Sequence, residues 1–205
     1  MAAVRRTDER VIDATLRCLA RHGLRGTTVD DVASEAGVSR ATLYRAFPGG
    51  RETILAAVVD AECARLFGAV TAAAGDAPDL HAALVDGLVA AATWLTGHEV
   101  LERLMFDEPA TLLTHLEFEQ MDRTLSAVAT RAGPLLGRFV EPALAARLGE
   151  WVARLAVSYL LFPSDEVDLC DRASVDWLVR RYVGPGVAAA AAEVREGETV
   201  STKLS

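Results

Sequence analysis

At 205 residues, with 51% apolar and 24% charged residues, the chain suits one packed globular domain or a small module joined to a larger one. No apolar run approaches the roughly 18 to 20 residues that cross a bilayer, and no apolar stretch follows Arg5 and Arg6, so neither a membrane span nor a signal peptide is expected. The net charge of −8 is unevenly spread: residues 1–51 carry 9 arginines against 6 acids, the remainder 12 basic residues against 23 acids, which assigns any nucleic-acid contact to the head.

Residues 8–22 place Ile12, Leu16, Leu19 and Ala20 on one stripe and predict a first helix, with Gly23 as its stop. Thr28 and Asp31 have the spacing of an N-terminal capping box, ahead of Val29, Val32, Ala33 and Ala36 at helical intervals. Gly37-Val38-Ser39 breaks this second helix, and Ser39 caps a short third one reaching Phe47. After Pro48-Gly49-Gly50 a long fourth helix runs from Arg51 to Ala74. Further helices are predicted over 80–96, 99–106, 109–132, 141–162, 174–182 and 187–194, punctuated by Pro134, Gly137, Pro142, Pro163 and Gly184-Pro185-Gly186. The acidic loop 163–172 is expected to be solvated, and 196–205 is too poor in apolar residues to order. Strand signals are absent. The expected fold is all-α, about nine or ten helices in total: a three-helix helix-turn-helix head over 1–51, a helical effector-binding and dimerisation domain over 52–195 entered by the long fourth helix, and a disordered tail over 196–205.

The stretch from Thr28 to Phe47 is the most informative. Two short helices that cross steeply need a small residue at the crossing, supplied by Ala33, and a turn that tolerates positive φ, supplied by Gly37. Val32, Ala36, Val38 and Leu43 fall in the interior of such a unit. With Leu43 and Phe47 turned inward, the outward face holds Arg40, Ala41, Thr42, Tyr44 and Arg45. That face offers donors for base edges and phosphates and a small apolar group for a thymine methyl.

With Gly23, Thr27-Thr28, Val32-Ala33, Ala36-Gly37-Val38-Ser39, Leu43-Tyr44, Phe47, Arg51 and Ile54 in this order, the chain resembles the TetR family of transcriptional regulators from Ile12 through Ile54. The resemblance implies a third helix that enters the major groove, and a homodimer on a palindromic operator. It implies phosphate contacts for Thr28, Tyr44 and Arg51 and base contacts around Arg40, Ala41 and Thr42; Thr27, Ser39 and Arg45 complete the expected DNA-facing set. One departure is Arg51, which stands where the family usually has lysine and keeps the charge.

In the body, Trp94, Leu101, Met105, Phe106, Leu113, Phe118, Met121 and Leu125 are dense enough to line an elongated apolar effector cavity, with Arg154, Ser158 or Tyr159 at a polar end. Ordinary core packing is the alternative for each. The stretch Arg154 to Ser164 resembles family members that respond to fatty acyl thioesters or similar lipid-like molecules, which implies an effector of that kind. A dimer interface is expected from Trp151 and Leu155 on one helix and Val175, Leu178, Val179 and Tyr182 on another, stripes that would equally suit the internal core.

Cys18, Cys63 and Cys170 are odd in number with no CxxC, which fits a cytoplasmic protein without disulfides. His22, His81, His98 and His115 form no metal-ligand spacing, and no nucleophile elbow or phosphate-cradling loop is present. No enzyme, metal or cofactor is expected. The reading is a ligand-responsive regulator, a repressor released from DNA by its effector. The competing reading is a helical ligand-binding protein whose head docks another protein, without salt-dependent affinity for DNA.

Overall fold

The computed structural model describes residues 2–107, 130–187 and 189–190. Among them every regular element is helical: α1 (Ala2–Gly26), α2 (Val29–Ala36), α3 (Arg40–Ala46), α4 (Arg51–Ala74), α5 (Leu80–Thr96), α6 (Glu99–Asp107), α7 (130–136), α8 (Pro142–Leu161) and α9 (Arg172–Leu178), the last continuing into a π turn at Val179–Val183. The expected tail, 196–205, lies outside the described residues.

The described chain forms two compact units. The first comprises residues up to Leu66 together with 95–107; the second comprises 67–94 and the described residues from 130 onward. The division therefore falls within α4, not at residue 51, because α1 is packed along its length by helices that follow the head. Leu19 and Leu24 bury against Val100 of α6, with Leu16, Ala20 and Leu55 around them. The Arg103 guanidinium of α6 donates to the Ala20 carbonyl, and Arg65 of α4 pairs with Asp13 at 2.9 Å.

In the first unit, Val11, Ala14 and Cys18 of α1 close over Val32, Ala33 and Ala36 of α2, Leu43, Phe47 and Ile54. Thr15, equally buried, donates its hydroxyl to the Val11 carbonyl at 2.7 Å. This face is offset from the stripe expected in the sequence, since Leu16, Leu19 and Ala20 serve the second cluster with α6. α1 is buried on two flanks. Gly23 has φ 70° and breaks the helix where a stop was expected, with one further turn to Gly26.

In the second unit the core is formed by Leu84, Val85 and Leu88 of α5, Leu136 of α7, Ala145, Leu148 and Ala156 of α8, and Val175, Leu178 and Val179. Gly87 of α5 faces α4, where a Cβ would lie in ordinary contact, 3.5 Å from Val70 Cγ1 and 3.8 Å from Ala74 Cβ. α8 starts with Pro142 in its first turn, while the Glu141 carboxylate accepts from the Ala143 and Leu144 amides at 3.0 and 3.1 Å.

Three local expectations are corrected. The loop after α8 is not wholly solvated. Val167 and Leu169 are buried while Glu166 and Asp168 point outward, a two-residue alternation that ties the loop to the core. Pro134 does not end α7, which continues to 136 before the chain turns at Gly137, whose amide bonds back to the Gly133 carbonyl at 2.7 Å. Gly184-Pro185-Gly186 likewise stays helical, since the ladder widens ahead of it. The Gly184 amide bonds back to Val179, so the crowding that Pro185 would cause in a regular helix is relieved.

Gly37 caps α2 in the left-handed region at φ 62° and ψ 40°. A Cβ there would also sit 3.3 Å from Arg10 Nη2. Gly37→Ala is expected to lower stability by about 1–2 kcal/mol, read as a shift in the urea unfolding midpoint at unchanged slope.

Candidate nucleic-acid interface

Capping chemistry fixes the two helices of the head. The Thr28 hydroxyl accepts from the Asp31 amide at 3.2 Å, and the Asp31 carboxylate accepts from the Thr28 amide at 3.0 Å and from its hydroxyl at 2.6 Å. The Thr28 hydroxyl, then its amide, hold the Asp31 carboxyl below the usual aspartate value of 3.8. At α3, the Ser39 hydroxyl oxygen accepts from the Thr42 amide at 3.1 Å. Both hydroxyls expected near DNA are thus also helix caps.

With Leu43 and Phe47 buried, α3 turns Arg40, Ala41, Tyr44 and Arg45 outward and leaves Thr42 half-buried. Tyr44 is 49% exposed, and one edge of its ring rests on Gly50. Gly50 has φ 63°, and a Cβ there would approach Tyr44 Cε1 to 3.1 Å. Glycine at this position satisfies the backbone and lets the tyrosine lie flat against the turn into α4.

One expected member of the DNA-facing set, Thr27, is corrected, and Arg51 has carbonyl partners within the protein. Thr27 is 5% exposed, and its hydroxyl donates to the Gly23 carbonyl at 2.7 Å, so it closes the end of α1 and faces inward. Arg51 donates Nε to the Thr27 carbonyl at 3.3 Å and Nη2 to the Leu24 carbonyl. Its charge sits at the carbonyl end of α1, where orphan acceptors and the helix dipole favour a cation.

Most head arginines behave similarly. Arg10 donates to the Ala36 carbonyl at 2.6 Å, capping α2, and Arg17 with Arg21 grip the Glu35 carboxylate. Arg40 forks both carboxylate oxygens of Asp30 across α2 and α3. Among the described residues Arg45 has no protein partner. The basic excess read from the sequence is therefore mainly structural, and Arg45 is the cation left open to solvent on α3.

In the body the expected sites divide. Trp94 and Leu101 are half-buried on α5 and α6. The Met105 and Phe106 side chains, and all of Leu113, Phe118, Met121 and Leu125, lie outside the described residues. On α8, Ala145, Leu148, Val152, Leu155, Ala156 and Tyr159 face the core, so Arg147, Trp151, Arg154 and Ser158 form the exposed stripe. Arg154, expected at a polar cavity end, instead pairs with Glu150 one turn back at 2.8 Å, and Ser158 is exposed. Tyr159 packs on the core.

Of the expected dimer residues, Val175, Leu178 and Val179 are corrected: they are 0–2% exposed in the core of their own subunit, and Leu155 packs there too. Trp151 and Tyr182 do face outward, at 45% and 58% exposure. Trp177, two residues from Val175 and so on the opposite face of α9, was missed; it meets Tyr182 edge to face at 5.6 Å between ring centroids. Phe162 at the end of α8 is also exposed. An open groove of about 740 Å³ is lined by Phe67, Gly68, Thr71, Ala72, Thr130, Arg131 and Pro134. The Arg131 guanidinium lies over the Phe67 ring at 5.4 Å.

The geometry of the head has counterparts among known proteins. The model of the bacterial regulatory proteins, tetR family, matches residues 11–58. The uncharacterized HTH-type transcriptional regulator Rv1255c of Mycobacterium tuberculosis is 30% identical over 200 residues, covering 92% of this chain and 92% of its own. The chain belongs to the TetR family. It is a helix-turn-helix, DNA-binding transcriptional regulator and not an enzyme. The fold is shared with the TetR family repressor AlkX from Dietzia sp., implicated in biodegradation of n-alkanes, at TM-score 0.65 and 22% identity over 87% of this chain and 95% of that one. It is shared also with the fatty acid degradation regulator FadR from Bacillus halodurans, at TM-score 0.56 and 17% identity over 86% and 95%. Among the described residues no helix is long and apolar enough to cross a membrane, and no group of three metal-ligating side chains occurs.

Glu35 ties α1 to α2. Arg17, then Arg21, hold its carboxyl below the ordinary glutamate value of 4.5. A carboxylate whose folded value is lowered adds stability above its unfolded value and loses it as the pH falls through the folded one. Between about pH 5 and pH 3 the unfolding free energy of the head should therefore fall less steeply in Glu35→Gln than in the parent, measured by urea denaturation at each pH.

Proposed function

We propose that the protein is a repressor that binds a palindromic operator as a homodimer, α3 of each subunit entering successive major grooves, and leaves DNA when an apolar effector binds the body. The observation that carries this reading is the outward face of α3. Arg40, Ala41, Tyr44 and Arg45 are exposed on a helix held by Leu43 and Phe47, and Arg45 has no protein partner among the described residues.

Seven residues of α3 reach few base pairs, so useful specificity calls for two copies, spaced about 34–36 Å apart on B-DNA. Trp151, Trp177 and Tyr182 support a homodimer, since large aromatics exposed on a helical body are a common mark of an interface. An apolar effector with an anionic end, of the fatty acyl thioester class, is supported by the groove beside Phe67 and Arg131. AlkX is implicated in biodegradation of n-alkanes, and FadR is a fatty acid degradation regulator. The effector acts only through a difference in its affinity for the DNA-bound and released arrangements.

Fluorescence anisotropy with duplex DNA from upstream of the protein's own gene, at two salt concentrations, tests the reading. Operator binding should be tight and salt-sensitive, and a long-chain acyl thioester added to the complex should release the DNA. Affinity that stays in the non-specific range of about 10⁻⁴ to 10⁻⁶ M on every native fragment would defeat it. Arg45→Ala should weaken binding by roughly 1–3 kcal/mol and reduce the salt slope by about 1, with the melting temperature unchanged. Trp177→Ser combined with Tyr182→Ser should shift sedimentation toward the monomer and weaken operator binding in parallel.

A further inference from the structure

We infer that Asp30 is a specificity-determining residue of the DNA-binding face, which holds the Arg40 guanidinium away from phosphates so that binding depends on contacts to bases. This inference rests on the reading of α3 as the DNA-contacting helix and adds a restraint within it.

Asp30 lies in the first turn of α2 and Arg40 in the first residue of α3. Arg40 Nε and Nη2 donate to the two carboxylate oxygens of Asp30, a bidentate fork that fixes the plane of the guanidinium. Neither side chain is buried: Arg40 is 68% exposed and Asp30 54%. A pair so exposed contributes little to folding, and the head has stronger ties between its helices. The Gly37 turn and the burial of Leu43 and Phe47 beside Val32, Ala33 and Ala36 already hold α3 against α2. The fork therefore has little structural work left to do.

Its electrostatic effect is considerable. Placed at the first residue of α3, Arg40 could otherwise swing on its long side chain to whichever phosphate is nearest, adding affinity on any sequence. Asp30 neutralises it there and brings its own negative charge toward the DNA backbone. The Nη1 group alone keeps both of its N–H donors clear of the fork, in an orientation set by Asp30. On the operator a base acceptor can meet those donors; on other sequences Arg40 brings no net charge to the backbone. The cation left for phosphates on α3 is Arg45.

Asp30→Asn removes the carboxylate charge while keeping the size of the side chain. For the full-length variant, affinity for a random-sequence duplex should rise about 3- to 10-fold at moderate salt, and the slope of log K against log salt should steepen by about 0.9, one extra phosphate contact. Selection from a randomised duplex pool should return a broader consensus than the parent returns. The gain must require Arg40, so Asp30→Asn/Arg40→Ala should bind random duplex no better than Arg40→Ala. If Asp30→Asn instead leaves the salt slope unchanged, or weakens operator and random DNA alike with a lower melting temperature, the pair is only a pin between α2 and α3 and the inference is overturned. Failure of parent and variant alike to bind any duplex would overturn the DNA-binding reading of α3 itself, and this inference with it.

Discussion

The crossing of α2 and α3 depends on the left-handed turn at Gly37. That turn ends α2 and redirects the chain so that Ser39 can cap α3 two residues later. Once the crossing is set, Ala33 and Ala36 let the helices approach, and Leu43 and Phe47 drop into the cluster with Val11, Ala14 and Cys18. Burial of these two side chains turns Arg40, Ala41, Tyr44 and Arg45 outward. Each fully buried leucine or phenylalanine is worth roughly 1.5–3 kcal/mol, so the exposed face is held by core energy and not by its own polar contacts.

The arginines show why net charge is a coarse guide to a binding face. Helix ends leave carbonyls without partners, and a short-helix head has many ends for its size. Arg10 and Arg51 answer that need, while Glu35 and Asp30 absorb three more guanidinium groups. A basic head is thus partly a consequence of building crossing helices from little chain. The DNA-directed charge is what remains after the caps are satisfied.

The second unit follows a different rule. Its core is rich in small side chains, with Ala74, Ala83, Ala92, Ala145 and Ala156 buried among the leucines and valines. Large aromatics then have little room inside, which fits the outward placement of Trp151, Phe162, Trp177 and Tyr182. The π turn at Val179–Val183 belongs to the same economy: it buries Val179 and Val183 while carrying the helix past Pro185.

The sequence by itself determined the features written in local spacing. The capping box at Thr28 and Asp31, the Gly37 turn, the Ser39 cap and the bounds of α4 and α5 depend on neighbours within a turn or two, where backbone sterics and side-chain capping leave few alternatives. Only the tertiary structure decided which side of an apolar helix is covered, and by what. The stripes at Val175, Leu178 and Val179 suited an interface and a core equally; packing against α5 and α8 assigned them to the core. The Leu16, Leu19 and Ala20 flank of α1 acquired its partner from α6, and Arg51 found carbonyl acceptors 24 and 27 residues away in the chain. Periodicity records that a face is apolar or charged; the partner that satisfies it is a property of three dimensions.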